Sequence, residues 1–124
     1  MPASRESPPD VVLLGAEWKT RALIRAQLIE EGFDVVATNT WPMMRRYLRP
    51  GIKPRFAVVD LRGLGEPEQV LRDLAVLMKP DRVLVVTATA TVPPSVVSRL
   101  GFRVHRRPVT IASIITAVRE AVRP

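Results

Sequence analysis

The chain has 124 residues, a formal net charge of +7 at pH 7 from 19 Lys and Arg against 12 Asp and Glu, 47% hydrophobic residues and no cysteine. This length suits one domain with a moderate core, and the absence of cysteine excludes disulfides and thiol chemistry and fits the cytoplasm. No apolar stretch approaches the roughly 20 residues of a membrane-spanning helix, and no N-terminal segment resembles a secretion signal, so we expect no membrane association.

The chain opens with a segment rich in Pro and Ser that shows no hydrophobic periodicity. Such a composition does not favour a packed element, so we predict residues 1–10 to be a flexible N-terminal segment. The remainder has no internal repeats and no low-complexity tracts. We predict that residues 11–124 form a single domain.

Short apolar runs alternate with longer helical patterns from residue 11 to residue 122. In chain order the first half predicts a strand at 11–14, a helix over 18–31, a strand at 35–37, a helix over 41–48 and a strand at 56–59 closed by Asp60. The second half predicts a helix over 70–78, a strand at 83–86, a short helix to residue 100, a weak strand at 102–105 and a helix over 111–122. The first helix carries Ala22, Ala26 and Ile29 on one apolar face, joined by Leu28, and Thr40 can cap the second helix.

Trp18 and Trp41 each stand at the start of a predicted helix. We expect both side chains to pack in the core or at its rim, with contact to a partner protein as the alternative.

Five strands alternating with five helices predict a parallel sheet that is covered by helices on both faces. In such folds the functional residues gather beyond the carboxyl ends of the strands. The candidate site residues are therefore those that follow the strands, namely Gly15, Ala16, Glu17, Asp60, Thr87, Arg107 and Pro108.

These strand ends resemble those of response regulator receiver domains. Residues 56–63 (FAVVDLRG) are similar to the family's phosphoacceptor segment, residues 85–88 (VVTA) to its Thr/Ser-Ala segment, and residues 107–109 (RPV) to its Lys-Pro segment with Arg in place of Lys. The resemblance implies an α/β, flavodoxin-like (βα)5 fold, a three-layer sandwich with a five-stranded parallel sheet in the order 2-1-3-4-5. It also implies cytoplasmic two-component signalling, the phosphoacceptor position for Asp60, and a cis peptide bond before Pro108.

Two departures from the family remove parts of its phosphorylation site. The family binds Mg²⁺ through an acidic pair after the first strand, where this chain has Gly15 and Ala16, which supply no side-chain oxygen. It also commonly has an aromatic switch residue where this chain has Val104. We therefore expect no metal and no cofactor; Mg²⁺ is expected only if the site is still phosphorylated, with Glu17 and Asp60 as its ligands. The other interpretation of Glu17 is a solvated acid near the start of the first helix, where negative charge is favourable.

Arg107 keeps a positive charge where the resemblance implies contact with a phosphoryl group. In an unphosphorylated site, its planar guanidinium is expected to form a bidentate salt bridge with Asp60, which has lost the acidic neighbours that would compete for it. Thr87 either hydrogen-bonds a phosphoryl oxygen or is a strand-end residue that reflects β propensity alone.

The main functional hypothesis is a degenerate receiver, or pseudo-receiver: a signalling domain that acts by protein–protein interaction, is not an enzyme, and lacks ordinary Mg²⁺-dependent phosphorylation. One alternative is a phosphorelay receiver that is still phosphorylated on Asp60, with Glu17, Thr87 and Arg107 as a reduced site. Another is a basic nucleic-acid-binding module, in keeping with the charge of +7.

Arginines cluster in two regions of the chain. The first cluster, Arg45, Arg46 and Arg49, lies on the second helix. The second falls on the fourth helix, fifth strand and fifth helix, the usual docking face of receivers, and consists of Arg99, Arg103, Arg106 and Arg119. We predict that this second face binds a protein partner, either a signalling protein or an output domain, and a homodimer is a further option. A solvated Arg-rich face is the alternative. We do not expect a nucleic-acid partner, because aromatic residues make up only 5% of the chain and no helix-turn-helix follows.

Overall fold

The computed structural model describes residues 7–122, which form a parallel sheet of five strands in the order β2-β1-β3-β4-β5. The strands are β1 (Val11–Leu14), β2 (Val35–Thr38), β3 (Phe56–Asp60), β4 (Val83–Thr87) and β5 (Arg103–Arg106). The helices are α1 (Trp18–Glu30), α2 (Trp41–Arg45), α3 (Pro67–Leu77), α4 (Pro94–Arg99) and α5 (Ile111–Val122), with a short 3₁₀ helix at Pro80–Arg82 before β4. The predicted alternation of strands and helices and the strand order implied by the resemblance are confirmed.

The three central strands are buried on both faces. Every residue of β1, β3 and β4 is buried, and the apolar ones are at most 1% exposed. Alternate side chains of these strands enter two separate cores, one beneath α2, α3 and α4 and the other beneath α1 and α5. This is the three-layer arrangement that continuous apolar strands of a parallel sheet require.

Helix α1 begins and ends as the sequence predicts but buries only part of the predicted face. Gly32, with a φ of 95°, lies just beyond its end, in the left-handed region that favours glycine. Leu28 is buried as predicted, together with Ile24, whereas the other predicted face residues, Ala22, Ala26 and Ile29, are exposed. Apolar residues lie all around this helix, so their spacing does not identify the buried side.

Helix α2 is shorter than predicted, since it ends at Arg45 and not near Leu48. Thr40 caps it as expected, accepting a hydrogen bond from the Met43 backbone N–H at 3.3 Å. After Arg45 the backbone bonds join residues three apart, as in the bond from the Leu48 N–H to the Arg45 carbonyl at 3.1 Å. The chain therefore tightens into turns of the 3₁₀ type while still burying Leu48.

The predicted flexible segment lies mostly outside the described residues, because positions 1–6 are not among them. Where the description begins, Pro9 is buried and the Asp10 carboxylate accepts a hydrogen bond from the Asp34 backbone N–H at 2.8 Å. Across residues 7–122, no helix combines the length and apolar character needed to cross a membrane.

Candidate functional site

The carboxyl ends of β1, β3, β4 and β5 bring the predicted site residues to one edge of the sheet. The Arg107 side chain reaches Asp60, and the Arg107 backbone N–H donates to the Thr87 carbonyl at 2.8 Å. A Cβ built on Gly63 would lie 3.0 Å from the Cβ of Ala16, so the loops after β1 and β3 also touch. Residues separated by up to about ninety positions in the chain therefore lie at the same edge of the sheet.

Asp60 is the last residue of β3 and is only 7% exposed. Its Oδ2 accepts a hydrogen bond from the Arg107 Nη2, and its Oδ1 accepts one from the Arg62 backbone N–H at 3.0 Å. Both carboxylate oxygens thus have a partner, and the negative charge is balanced by a guanidinium. The predicted salt bridge between Asp60 and Arg107 is confirmed, although it runs through one nitrogen and one oxygen.

Arg107 follows β5 and is placed by its backbone as well as by its side chain. The peptide bond between Arg107 and Pro108 is cis, as the resemblance implies. The Arg107 side chain is 21% exposed, and its Nε is buried without a hydrogen-bond partner among the described residues. One of the guanidinium's donor groups therefore remains unused beside the ion pair with Asp60.

Thr87 ends β4 but its hydroxyl does not serve Asp60. The Thr87 Oγ1 donates to the Val92 carbonyl at 2.7 Å, and the residue is 1% exposed. This bond fastens the loop between β4 and α4. A hydrogen bond from this hydroxyl to a phosphoryl oxygen would require it to leave Val92.

The end of β1 is covered by an arginine from the first turn of α1. The Arg21 Nη1 donates to the Gly15 carbonyl at 2.6 Å and lies 3.5 Å from the Ala16 carbonyl. The predicted site did not include Arg21, although an arginine seven residues beyond a strand end, and one turn into the next helix, is the available signal. Its effect is to place a positive charge beside the backbone oxygens at the end of β1.

Glu17 caps α1. Its carboxylate accepts hydrogen bonds from the backbone N–H groups of Lys19 at 2.7 Å and Thr20 at 3.0 Å, and from the Thr20 hydroxyl at 2.6 Å. These bonds, the Thr20 hydroxyl first, lower the pKa of Glu17 to about 2, and the positive charge of Arg62 acts in the same direction. The Glu17 carboxylate is thus committed to the helix start.

These residues do not fit a magnesium site. Mg²⁺ needs several oxygen ligands in near-octahedral geometry. The oxygens at hand already accept hydrogen bonds: the Asp60 carboxylate from Arg107, the Glu17 carboxylate from Thr20, and the Gly15 carbonyl from Arg21. Within residues 7–122, no three acidic, histidine or cysteine side chains come together as metal ligands.

The four arginines of the predicted partner face have different surroundings. Arg119 donates through its Nε to the Glu31 carboxylate at 2.8 Å, which raises the pKa of Arg119 and links α5 to the end of α1. Arg103 donates to the Asp81 carbonyl at 2.8 Å, and its guanidinium carbon lies 5.8 Å from the centroid of the Phe56 ring. Arg99 and Arg106 are exposed, and Arg99 borders a groove of about 260 Å³ between α3 and α4.

No protein-family model and no curated protein matches the chain. Solved structures do match it. A receiver domain protein (CheY-like) from Methanospirillum hungatei JF-1 aligns with a TM-score of 0.75 at 17% identity, covering 90% of this chain and 91% of that one. A response regulator receiver protein from Pseudomonas putida aligns with a TM-score of 0.72 at 20% identity, covering 91% and 97%. A structure described as adenylate cyclase from Rhodopirellula baltica aligns with a TM-score of 0.72 at 16% identity, covering 95% and 87%. At these identities the similarity is one of fold, and the fold is that of receiver domains.

Proposed function

We propose that this domain, which has the receiver fold, is a degenerate receiver: a signalling module that acts by protein–protein contact, is not an enzyme, and is not switched by Mg²⁺-dependent phosphorylation. The observation that carries the proposal is the ion pair between Asp60 and Arg107. Both Asp60 oxygens are engaged, one by the guanidinium and the other by the Arg62 N–H. The carboxylate therefore has a structural partner that needs neither metal nor phosphate.

The chemistry of phosphoryl transfer supports the same proposal. Transfer to a carboxylate brings two negative groups together, and enzymes offset this charge with metal ions and positioned cations. Here Gly15 and Ala16 supply no side-chain oxygen for a metal, and the carboxylate that follows them in the chain, that of Glu17, caps α1. The guanidinium of Arg107 is bound to the nucleophile itself. Attack through the Asp60 Oδ2 would require that this guanidinium be displaced.

The elements that would report phosphorylation are also altered. The Thr87 hydroxyl is bonded to the Val92 carbonyl, and Val104 has no ring to move between two positions. One part of a phosphorylation-driven switch, the aromatic ring, is thus missing, and another, the Thr87 hydroxyl, is bonded elsewhere. Its signalling role would then depend on which proteins its surface binds.

Exposed apolar and basic groups support a protein-binding role. On α1, Trp18, Leu23 and Ile29 are 67%, 49% and 42% exposed. On the face formed by α4, β5 and α5, Arg99 and Arg106 are exposed and can meet an acidic partner. The groove between α3 and α4 that Arg99 borders has both apolar and charged lining residues. Apolar and arginine side chains are both enriched at protein interfaces.

The proposal is tested by incubating the protein with acetyl phosphate and Mg²⁺ and measuring its intact mass, with a conventional receiver treated in parallel. We expect the mass to remain that of the unmodified chain. A stoichiometric phosphoryl adduct that disappears in Asp60→Asn would overturn the proposal and support the phosphorelay alternative.

The partner face is tested separately by charge reversal. Arg99→Glu with Arg106→Glu should weaken a cross-linked complex with the cognate partner, whereas Arg45→Glu with Arg46→Glu on α2 serves as a control of equal charge change. Equal loss of the complex in the two double variants would argue against specific binding through the face formed by α4, β5 and α5.

The homodimer is tested by light scattering of the free protein at several concentrations.

A further inference from the structure

A basic cavity lies at the edge of the sheet opposite Asp60. It has a volume of about 460 Å³ and is formed where the chain enters β3 and β4 and where α5 ends. Four cationic side chains line it, Lys53, Arg55, Lys79 and Arg82, together with apolar residues that include Met78 and Val122. No carboxylate is among its lining residues within the described part of the chain.

Two of the four cations are held in position by the last turn of α5. The Arg82 Nη1 donates to the Ala121 carbonyl at 3.2 Å, and the Arg55 Nη2 donates to the Val122 carbonyl at 3.5 Å. An arginine has five N–H donors, so each guanidinium retains others after these bonds. Fixing the side chains in advance reduces the entropy that an incoming ligand must remove.

Among residues 7–122, one ion pair involves the four cations that line this cavity. The Arg55 guanidinium lies 3.9 Å from the Asp10 carboxylate, which in turn accepts a hydrogen bond from the Asp34 N–H. Like charges gathered around one concave surface repel one another and create a strongly positive potential. An anion bound among them would remove that repulsion.

We propose that this cavity binds a small anion that carries two or more phosphate groups. Planar guanidiniums match phosphate oxygens in pairs, and ammonium groups add point charges, so two arginines with two lysines suit a diphosphate or triphosphate. The volume falls in the range of small-molecule sites. The apolar residues of the lining, Pro54, Met78, Ala121 and Val122, offer contact to a non-phosphate part of the ligand. This cavity is separate from Asp60. Its lining residue Arg55 precedes the first residue of β3, whereas Asp60 is the last residue of that strand.

The arginines of α2 show that charge alone does not make such a site. Arg45, Arg46 and Arg49 also border a depression, together with Trp41 and Pro42. These three side chains are exposed, and no hydrogen bond or ion pair orients them among the described residues. They therefore supply a control cluster of similar charge without fixed geometry.

The test is titration calorimetry of the whole chain with inorganic phosphate, pyrophosphate, ATP and duplex DNA, each at matched ionic strength in sodium chloride. We expect saturable binding that is tighter for pyrophosphate than for phosphate. Lys53→Ala with Lys79→Ala should weaken it about tenfold or more. Both lysines are exposed, so this pair leaves the core intact. Arg45→Ala with Arg46→Ala also removes two positive charges, and it should change the dissociation constant of pyrophosphate by no more than about twofold.

The arms of the experiment separate the sources of phosphate. Tighter binding of ATP than of pyrophosphate would indicate that the apolar lining contacts a nucleoside. Equal binding of the two would indicate that the site recognises phosphate groups alone. Both results support the proposal. Equal weakening in the two variant pairs would overturn it in favour of a general charge effect. Tighter binding of duplex DNA than of any small anion, or no saturable binding at low salt, would overturn it as well.

Discussion

The ion pair between Asp60 and Arg107 joins β3 to β5 across the strand that separates them. The intervening strand, β4, contributes the Thr87 backbone carbonyl, which accepts a hydrogen bond from the Arg107 N–H. The Thr87 side chain turns instead to Val92. Arg107 thus links three neighbouring strand ends. Its side chain bonds to the end of β3, its backbone N–H bonds to the end of β4, and the residue itself follows β5. The pair has a clear structural role whether or not the site has any chemistry.

Breaking this ion pair from the arginine side should be costly. In Arg107→Met the Asp60 carboxylate, 7% exposed, would lose the group that balances its charge. We expect the free energy of unfolding to fall by about 3 kcal/mol, at the lower end for a broken buried pair because the Arg107 side chain is partly exposed. Asp60→Asn should cost only about 1 kcal/mol, since the freed guanidinium can reach water. Urea denaturation at pH 7 measures both values.

The double variant decides whether the two side chains act together. If the pair is coupled, Asp60→Asn should recover roughly 1–2 kcal/mol of the stability lost in Arg107→Met. Costs that simply add would contradict the ion pair and leave Asp60 as an independent residue.

Glu17 should make stability depend on pH in the acid range. Its hydrogen bonds lower its pKa from 4.5 to about 2, so the folded state favours the charged form. The resulting stabilisation is fully present above about pH 4.5 and is lost as the pH falls through about 2. The melting temperature of wild type should therefore exceed that of Glu17→Gln at pH 6, and the difference should shrink between pH 4.5 and pH 2.

The Thr20 hydroxyl is the largest cause of this shift and offers a finer test. In Thr20→Val the carboxylate keeps its backbone donors but loses the hydroxyl at 2.6 Å. An NMR titration of the Glu17 side chain should show its pKa rise toward the ordinary value. An unchanged pKa would mean that the backbone bonds alone hold the carboxylate at the helix start.

Gly63 should not tolerate a side chain, because two constraints meet there. Its φ of 81° lies in the left-handed region, which costs an ordinary residue roughly 1–2 kcal/mol. A Cβ there would also stand 3.0 Å from the Cβ of Ala16. Gly63→Ala should therefore lower the free energy of unfolding by about 2 kcal/mol, and adding Ala16→Gly should restore part of that loss.

Gly65 provides the matched control two residues later. A Cβ at this position meets nothing within 4 Å, and its φ is not positive. Gly65→Ala should change stability by less than about 1 kcal/mol, with stabilisation the expected direction because the unfolded chain loses freedom. Urea denaturation measures both variants. Similar losses of unfolding free energy at Gly63 and Gly65 would mean that contact between the loops after β1 and β3 does not explain the effect at Gly63.

Local patterns in the sequence predict the sheet well and the site in part. β1, β3 and β4 are short apolar runs that a parallel sheet covered on both faces can bury, so their burial follows from the sequence pattern. The strand order, in contrast, is implied only by the resemblance to receiver domains. The approach of Arg107 to Asp60 follows from both residues ending strands at the same edge. Opposite charge then makes the pair favourable.

What could not be predicted depends on contacts between distant or rotatable groups. The link from Arg119 to Glu31 joins residues 88 positions apart on two helices, and no periodicity encodes it. The Thr87 hydroxyl can rotate to several acceptors, and only the path of the loop to Val92 selects one. Helix α1 has apolar residues on every side, so its buried face is set by how the helix docks.

The two tryptophans, both expected in the core or at its rim, should behave differently in solution. Trp18 is 67% exposed at the start of α1, whereas Trp41 is partly buried against the core beneath α2, α3 and α4. Trp18→Ala should change the free energy of unfolding by no more than about 0.5 kcal/mol, as for other surface substitutions. Trp41→Ala should cost about 2 kcal/mol, less than the 3–5 kcal/mol typical of a fully buried ring.

Fluorescence of the single-tryptophan proteins checks this placement directly. Trp41→Phe leaves Trp18, which should emit at longer wavelength and be quenched more strongly by acrylamide than Trp41 is in Trp18→Phe. In concentrated urea the two proteins should become indistinguishable, which controls for intrinsic differences. Equal quenching in the native state would contradict the exposure of Trp18. If Trp18 does meet a partner, adding that partner should shift its emission to shorter wavelength and protect it from acrylamide, because burial removes water from the ring.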